Sequence, residues 1–146
     1  MFTTEKLLYK FLRSHTQDEF HWQRIESVGE GIPDTNYCGR GCEGWLELKV
    51  IHNRTLSHTM AVDIRLRPSQ AAWLLRRTGA GGRANVCIGT VKGDILIVPA
   101  KYSTRLLHKI PFSQIEHWAL FNRNAKEGFS VGDLKTALCK DVDLLF

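Results

Sequence analysis

A mixed α/β fold, one β-sheet flanked by helices, is what this sequence of 146 residues predicts. Three observations carry that reading. Apolar residues recur at helical spacing at the start, period-two runs bounded by glycine and proline follow, and a second helical stretch beginning at Pro68 separates two groups of strands. A chain of this length is one domain's worth and can bury a substantial core.

The elements follow in order. Thr3 or Thr4 can cap a helix over 5–13, with Leu7, Leu8, Phe11 and Leu12 on its apolar face. Residues 20–28 read as a strand marked by Phe20, Trp22 and Ile25. Gly29, Gly31 and Pro33 break it, and a short strand begins near Asp34. Gly39-Arg40-Gly41 turns the chain into a strong strand over 45–51, so the three runs form an antiparallel meander. The polar stretch HNRTLSHTM, 52–60, is a loop, and 61–66 is a short extended piece. Pro68 suits the first turn of a helix to about residue 77, because its missing N–H has no helical partner there; the glycines of 79–82 end that helix. Strands over 85–91 and 94–100 are joined by Lys92-Gly93-Asp94, a hairpin signal. A further helix lies within 103–122 and another over 131–140. The organisation expected is a single domain, 1–146, with its core in about 1–100 and a helical extension over 101–146.

Composition bounds the class without choosing within it. At 43% hydrophobic and 24% charged the chain is an ordinary globular one, and its net charge of +5 favours an acidic partner such as nucleic acid. In MFTTEKLLYKF, Lys6 and Lys10 interrupt every apolar run, and no stretch approaches the ~20 apolar residues of a membrane helix. A cytoplasmic protein with no membrane partner is therefore expected, its four cysteines (Cys38, Cys42, Cys87 and Cys139) being thiols.

The chemistry concentrates in GIPDTNYCGRGCEGWLELKV, residues 31–50. On a strand Trp45, Glu47 and Lys49 share one face, while Leu46, Leu48 and Val50 form the other, taken as the core face. Glu47 and Lys49 thus stand side by side near Asp34 of the preceding strand. Two carboxylates can hold a hard divalent cation through oxygen, and a neighbouring lysine can orient a water or neutralise charge developing on a phosphate. Charged residues also alternate on any solvated strand, and Pro-Asp is a common turn. The joint pattern is the stronger signal: Gly-x-Pro-Asp, a glycine turn, an aromatic-aliphatic-Glu-aliphatic-Lys strand, then the basic helix of LRPSQAAWLLRR with Gln70 in its first turn.

That order of GIPD, ELK and RPSQ resembles the PD-(D/E)XK nuclease superfamily, and within it the small stand-alone VRR-NUC and Holliday junction resolvase-like enzymes, some of them phage-encoded. The likeness covers residues 1 to about 100. It implies a restriction endonuclease-like core and an Mg2+- or Mn2+-dependent endonuclease acting on DNA, with branched DNA such as a Holliday junction as substrate. By the same resemblance Asp34 and Glu47 are metal-binding carboxylates, Lys49 positions the water, and Gln70 supports the site. Glu5 completes the metal set, with Glu26 as its competitor. Arg65, Arg67, Arg76, Arg77 and Arg83 are candidates for the phosphate backbone, although such a run is also what a solvated face looks like. A host cytoplasm follows if the chain is phage-encoded.

Other readings compete. Cys38-x3-Cys42 with His52-x5-His58 is loosely a Cys2His2 zinc arrangement, at odds with the strand expected between them. A basic α/β module that binds nucleic acid without cutting it, a flap or nicking nuclease, and a ribonuclease are the functional alternatives. No G-x-S-x-G and no P-loop ending is present. A homodimer is expected from the need to nick two strands of a two-fold junction, with Trp118, Phe121 and Phe129 as interface material.

Overall fold

The computed structural model describes residues 1–26 and 29–141. Ser27 and Val28, at the end of the strand expected over 20–28, and residues 142–146 lie outside the described residues. The fold is a mixed sheet flanked by helices, as predicted. Helix α1 (Glu5–Thr16) is followed by β1 (Phe20–Arg24), β2 (Thr35–Gly39), β3 (Cys42–Ile51) and a two-residue β4 (Ala61–Val62). Then come α2 (Pro68–Gly79), β5 (Ala84–Thr90), β6 (Asp94–Pro99), two 3₁₀ turns, β7 (Ile110–Pro111), α3 (Phe112–Trp118), β8 (Phe121–Asn124) and α4 (Val131–Leu138).

Six strands form the main sheet in the order β1-β2-β3-β5-β6-β8, and β4 pairs with β7 in a separate ribbon. Among the described residues only the β3–β5 pair is parallel, joined by the α2 crossover; the other pairs are antiparallel. Thr4 caps α1 by accepting the Leu7 N–H. Leu8 and Leu12 are buried while Leu7, expected on the apolar face, is exposed, because only the first two lie over the sheet. The β2–β3 turn puts Arg40 (φ 50°) and Gly41 (φ 74°) both in the left-handed region, the backbone a two-residue hairpin needs. Arg40 is held there by a two-pronged ion pair to Glu19 at 2.8 and 3.1 Å.

Both faces of the sheet are covered. One core lies under α2 and α3 (Leu74, Val86, Ile88, Leu96, Val98, Ile115), the other under α1 and α4 (Leu12, Tyr37, Leu46, Leu48, Ile97, Leu138). All seven residues of β5 are buried, as a central strand next to a parallel crossover should be. The Glu47 face of β3 is therefore no solvent face: Trp45 and Ile51 pack into the core under α2.

Residues beyond 100 are more than a helical extension. β8 forms an edge of the main sheet through its pairing with β6, and α4 closes one core. Trp118 and Phe121, offered as interface material, are 8% and 4% exposed and belong to the cores; Phe129 packs edge-on against Phe11 and Phe121. Aromatics at an edge strand and its flanking helix serve the interior first, since that is where their area is removed from water.

The cysteines depart from expectation. Cys42, at the start of β3, is disulfide-bonded to Cys139 at the end of α4, leaving Cys38 and Cys87 free. A separation of 97 residues gives no local signal, so only the docking of α4 brings the pair together. The zinc arrangement loses Cys42 to this bond. Titration of the unfolded, unreduced chain should find two thiols and, after reduction, four. Reduction should cost roughly 4–5 kcal/mol of stability by loop entropy. Four thiols before reduction would rule the bond out.

Candidate functional site

The site is built where three local structures meet: the end of the Gly-x-Pro-Asp turn, the middle of β3 and the first turn of α2. Gly31 is the hinge of the first. Its φ of +78° is left-handed, and a Cβ there would stand 2.1 Å from the Ser69 carbonyl oxygen. Only glycine lets the turn lie against the start of α2. The turn delivers Asp34 one residue before Thr35, whose cross-strand partner is Leu46. Asp34 Oδ1 accepts the Leu48 N–H at 3.3 Å and the Thr35 hydroxyl at 3.0 Å.

Glu47 is 4% exposed, although it is ionisable. Its Oε1 accepts the Gln70 side-chain N–H at 2.8 Å and lies 3.7 Å from the Lys49 ammonium. Its Oε2 is buried with no hydrogen-bond partner. Burial, then the neighbouring Asp34 charge, push the Glu47 carboxyl up to about 7, against the pull of Lys49, the Asp34 backbone N–H and Arg67. Asp34 is raised as well, by burial, with Arg24 the largest opposing influence. Two carboxyls with raised pKa values, one carrying an orphaned oxygen, form a place where positive charge is missing.

Gln70 serves two ends at once. Its Oε1 accepts the Arg67 N–H at 2.9 Å, closing the first turn of α2, and its Nε2 is thereby aimed at Glu47. The helix-end reading and the site-support reading of Gln70 are one arrangement. Lys49 is equally constrained: its Nζ donates to the Arg65 carbonyl at 3.1 Å, and its side chain is only 13% exposed. Arg65 has φ 59°, and its N–H is held by Asp63 at 2.8 Å.

The structure thus brings Asp34, Glu47, Lys49 and Gln70 together. It does not bring Glu5 or Glu26 to them: among the described residues no group of three or more His, Cys, Asp or Glu converges on one point. Glu5 sits in the first turn of α1, and Glu26 is exposed just past β1. Arg65 and Arg67 are exposed, Arg67 close enough for its charge to act on Glu47 and Arg65 through its carbonyl bond to Lys49, whereas Arg76 and Arg77 lie in the last turn of α2. Arg83 is an internal tie: it donates to the carbonyls of Lys140 (2.9 Å) and Glu43 (3.2 Å) and pairs with Asp141 at 3.5 Å. Arg24 was not singled out in the sequence. It is the largest positive influence on Asp34, and its guanidinium lies 5.1 Å from the centre of the Tyr9 ring. Its place follows from the β1–β2 register, which pairs Arg24 with Thr35 and which the sequence alone did not supply.

The donor set suits a hard cation. Both carboxylates offer oxygen, one oxygen lacks any partner, and Mg2+ typically takes one or two protein carboxylates and leaves its other positions to water and phosphate.

Fold and site together define a mixed α/β domain in which a buried glutamate, a half-buried aspartate, a lysine and a glutamine converge. No family model matches the sequence, and no curated protein matches it. Among solved structures the chain is similar to Hjc, a Holliday junction resolvase of Archaeoglobus fulgidus, with a TM-score of 0.49 and 12% sequence identity over 77% of this chain and 98% of that one. Likeness at that level says nothing about which bond, if any, is cut. Among the described residues no helix is long and apolar enough to cross a membrane.

Proposed function

We propose that the protein is an Mg2+- or Mn2+-dependent endonuclease that hydrolyses phosphodiester bonds in DNA. The observation that carries this reading is the partnerless Glu47 Oε2, buried beside Asp34 with Lys49 and Gln70 fixed around it. Asp34 and Glu47 would hold the cation, which supplies Lewis acidity toward the phosphate and lowers the pKa of water. Gln70 holds Glu47 in one orientation through its 2.8 Å bond. Lys49, anchored on the Arg65 carbonyl, presents its ammonium beside the acids, where it can position the attacking water and offset charge on the phosphoryl oxygens. Arg65 and Arg67, both exposed, would take the flanking phosphates.

Branched DNA is the substrate implied by the resemblance of the GIPD, ELK and RPSQ motifs. Symmetric cutting of a four-way junction asks for two sites, hence a homodimer, with an interface other than the buried Trp118 and Phe121. Labelled duplex, flap and four-way junction DNA, each with Mg2+, Mn2+ or EDTA, test the reading. Cleavage with either metal and none with EDTA is expected, strongest on the junction. Binding of all three without cleavage would leave a non-catalytic module, and cutting of one strand only would indicate a nicking or flap enzyme.

Lys49→Ala should lower the single-turnover rate on saturating DNA by about 10²–10³, the scale for one preorganised donor, with little change in affinity. An equal loss in binding with an unchanged bound-state rate would make Lys49 a phosphate contact only.

A further inference from the structure

The same two elements that carry Glu47 and Gln70 also carry an aromatic-arginine stack that the proposed chemistry does not use. Trp45 lies two residues before Glu47 on the same face of β3, and Trp73 lies one turn after Gln70 on α2. Their rings meet edge-on at 5.3 Å between centroids. The Arg77 guanidinium lies over both, 5.4 Å from the Trp45 centroid and 5.1 Å from that of Trp73. Arg77 is exposed and, with Arg76, Trp73 and Ala80, lines an open depression. Among the described residues neither Arg76 nor Arg77 has a carboxylate partner.

The guanidinium is planar and, resting against the two indoles at an exposed position, can offer a face to solvent. Planar, electron-rich groups stack on that face, and a nucleobase attached to a phosphate chain supplies both a plane and negative charge. A base paired in a duplex shows only its edges in the grooves, whereas an unpaired base offers its face. Trp45 and Glu47 are separated by about 7 Å along the strand, at ~3.3 Å per residue. At ~3.4 Å per stacked nucleotide, and more where a strand is unstacked, that is a reach of two nucleotides at most.

We propose that Arg77, backed by Trp45 and Trp73, is a stacking shelf for an unpaired DNA base next to the phosphodiester being cut, with Arg76 on the adjoining phosphate. This rests on the nuclease reading for its location, and it adds capture of a base unstacked at a branch point or strand end beside the cut.

The test is binding in EDTA, so that cleavage plays no part. Fluorescence anisotropy would compare a blunt duplex, the same duplex with a single-stranded overhang, and that overhang with abasic sites. The wild type should prefer the normal overhang to the other two by about ten-fold or more, the scale of one stacked base. Arg77→Ala, Arg77→Lys and Trp73→Leu should each lose that preference, while Trp73→Phe retains it. Arg77→Lys keeps the charge and changes nothing in the interior, so its result does not depend on refolding. Full preference in Arg77→Lys, or an abasic overhang bound as tightly as a normal one, would overturn the shelf. Cleavage of the same DNAs with Mg2+ is read separately. Cutting without an overhang preference removes the shelf and leaves the nuclease; an overhang preference without cutting does the reverse.

Discussion

Glu47→Gln is expected to abolish metal-dependent cleavage and, in the same molecule, to raise the stability of the metal-free protein at pH 8. Both effects come from one buried carboxylate. Removing its charge removes an anionic ligand from a site that offers the cation only two, so activity should fall by at least about 10³-fold, as for loss of a central electrostatic group. Stability moves the other way. The Glu47 carboxyl is raised from 4.5 to about 7 in the fold, first by burial and then by Asp34. Between those pH values the folded state keeps a proton that the unfolded chain has released. Stability therefore falls as pH rises through this window, and above about pH 7 the full penalty applies. At 6% side-chain exposure that penalty is of order 3 kcal/mol. Glutamine keeps the shape and the neutral form, so the variant's melting temperature in EDTA at pH 8 should exceed the wild type's by roughly 6–12 °C. The gap should close at pH 4 to 5, and saturating Mg2+ should stabilise the wild type alone. Unchanged cleavage, or an EDTA melting curve that does not respond to the substitution at pH 8, would remove Glu47 from the site.

Gly31→Ala is expected to be the most damaging single methyl in the chain. The residue combines a left-handed φ with a Cβ position 2.1 Å from the Ser69 carbonyl oxygen, and neither backbone can yield without displacing the start of α2. Conformational strain alone costs about 1–2 kcal/mol, and the forced shift adds about 1–3 kcal/mol. Gly41 supplies the control: its φ is +74° with nothing within 4 Å of a Cβ, so Gly41→Ala should show the strain alone. Denaturant unfolding of the two variants separates the terms. Because Ser69 precedes Gln70, the Gly31 variant should also weaken metal-dependent cleavage in whatever fraction stays folded. Equal losses in the two variants would mean that the Gly31–Ser69 approach is not rigid.

Much of this was legible in the sequence because it is local. The meander of β1 to β3, the proline-started α2 and the hairpin of β5 and β6 each rest on periodicity and turn chemistry within a few residues. α2, β5 and β6 lie within two residues of their expected bounds, whereas β1 ends at Arg24 although its strand was expected to run further. The sharing of a face by Glu47 and Lys49 follows from strand geometry alone. The candidacy of Asp34 and Gln70 came instead from the resemblance that the order of their motifs carries. The extent of β3 was underestimated, since Cys42 to Gly44 carry no strand pattern and extend only because β2 pairs with them.

What only the tertiary structure decided concerns partners far apart along the chain. The sequence could not tell that the Glu47 face would be roofed by α2, which turns an apparently solvated glutamate into a buried one with a displaced acidity and an orphaned oxygen. Nor could it exclude Glu5 from the acid pair, place Arg24 beside Asp34, or join Cys42 to Cys139. Arg77 and Arg83 looked alike in a basic run, yet one lies open on two indoles and the other is tied to backbone carbonyls. The physical reason is common to all of these. Backbone dihedrals and strand alternation are set by neighbours in sequence, whereas burial, field and pairing depend on which surfaces the folded chain presses together, and those contacts span tens of residues.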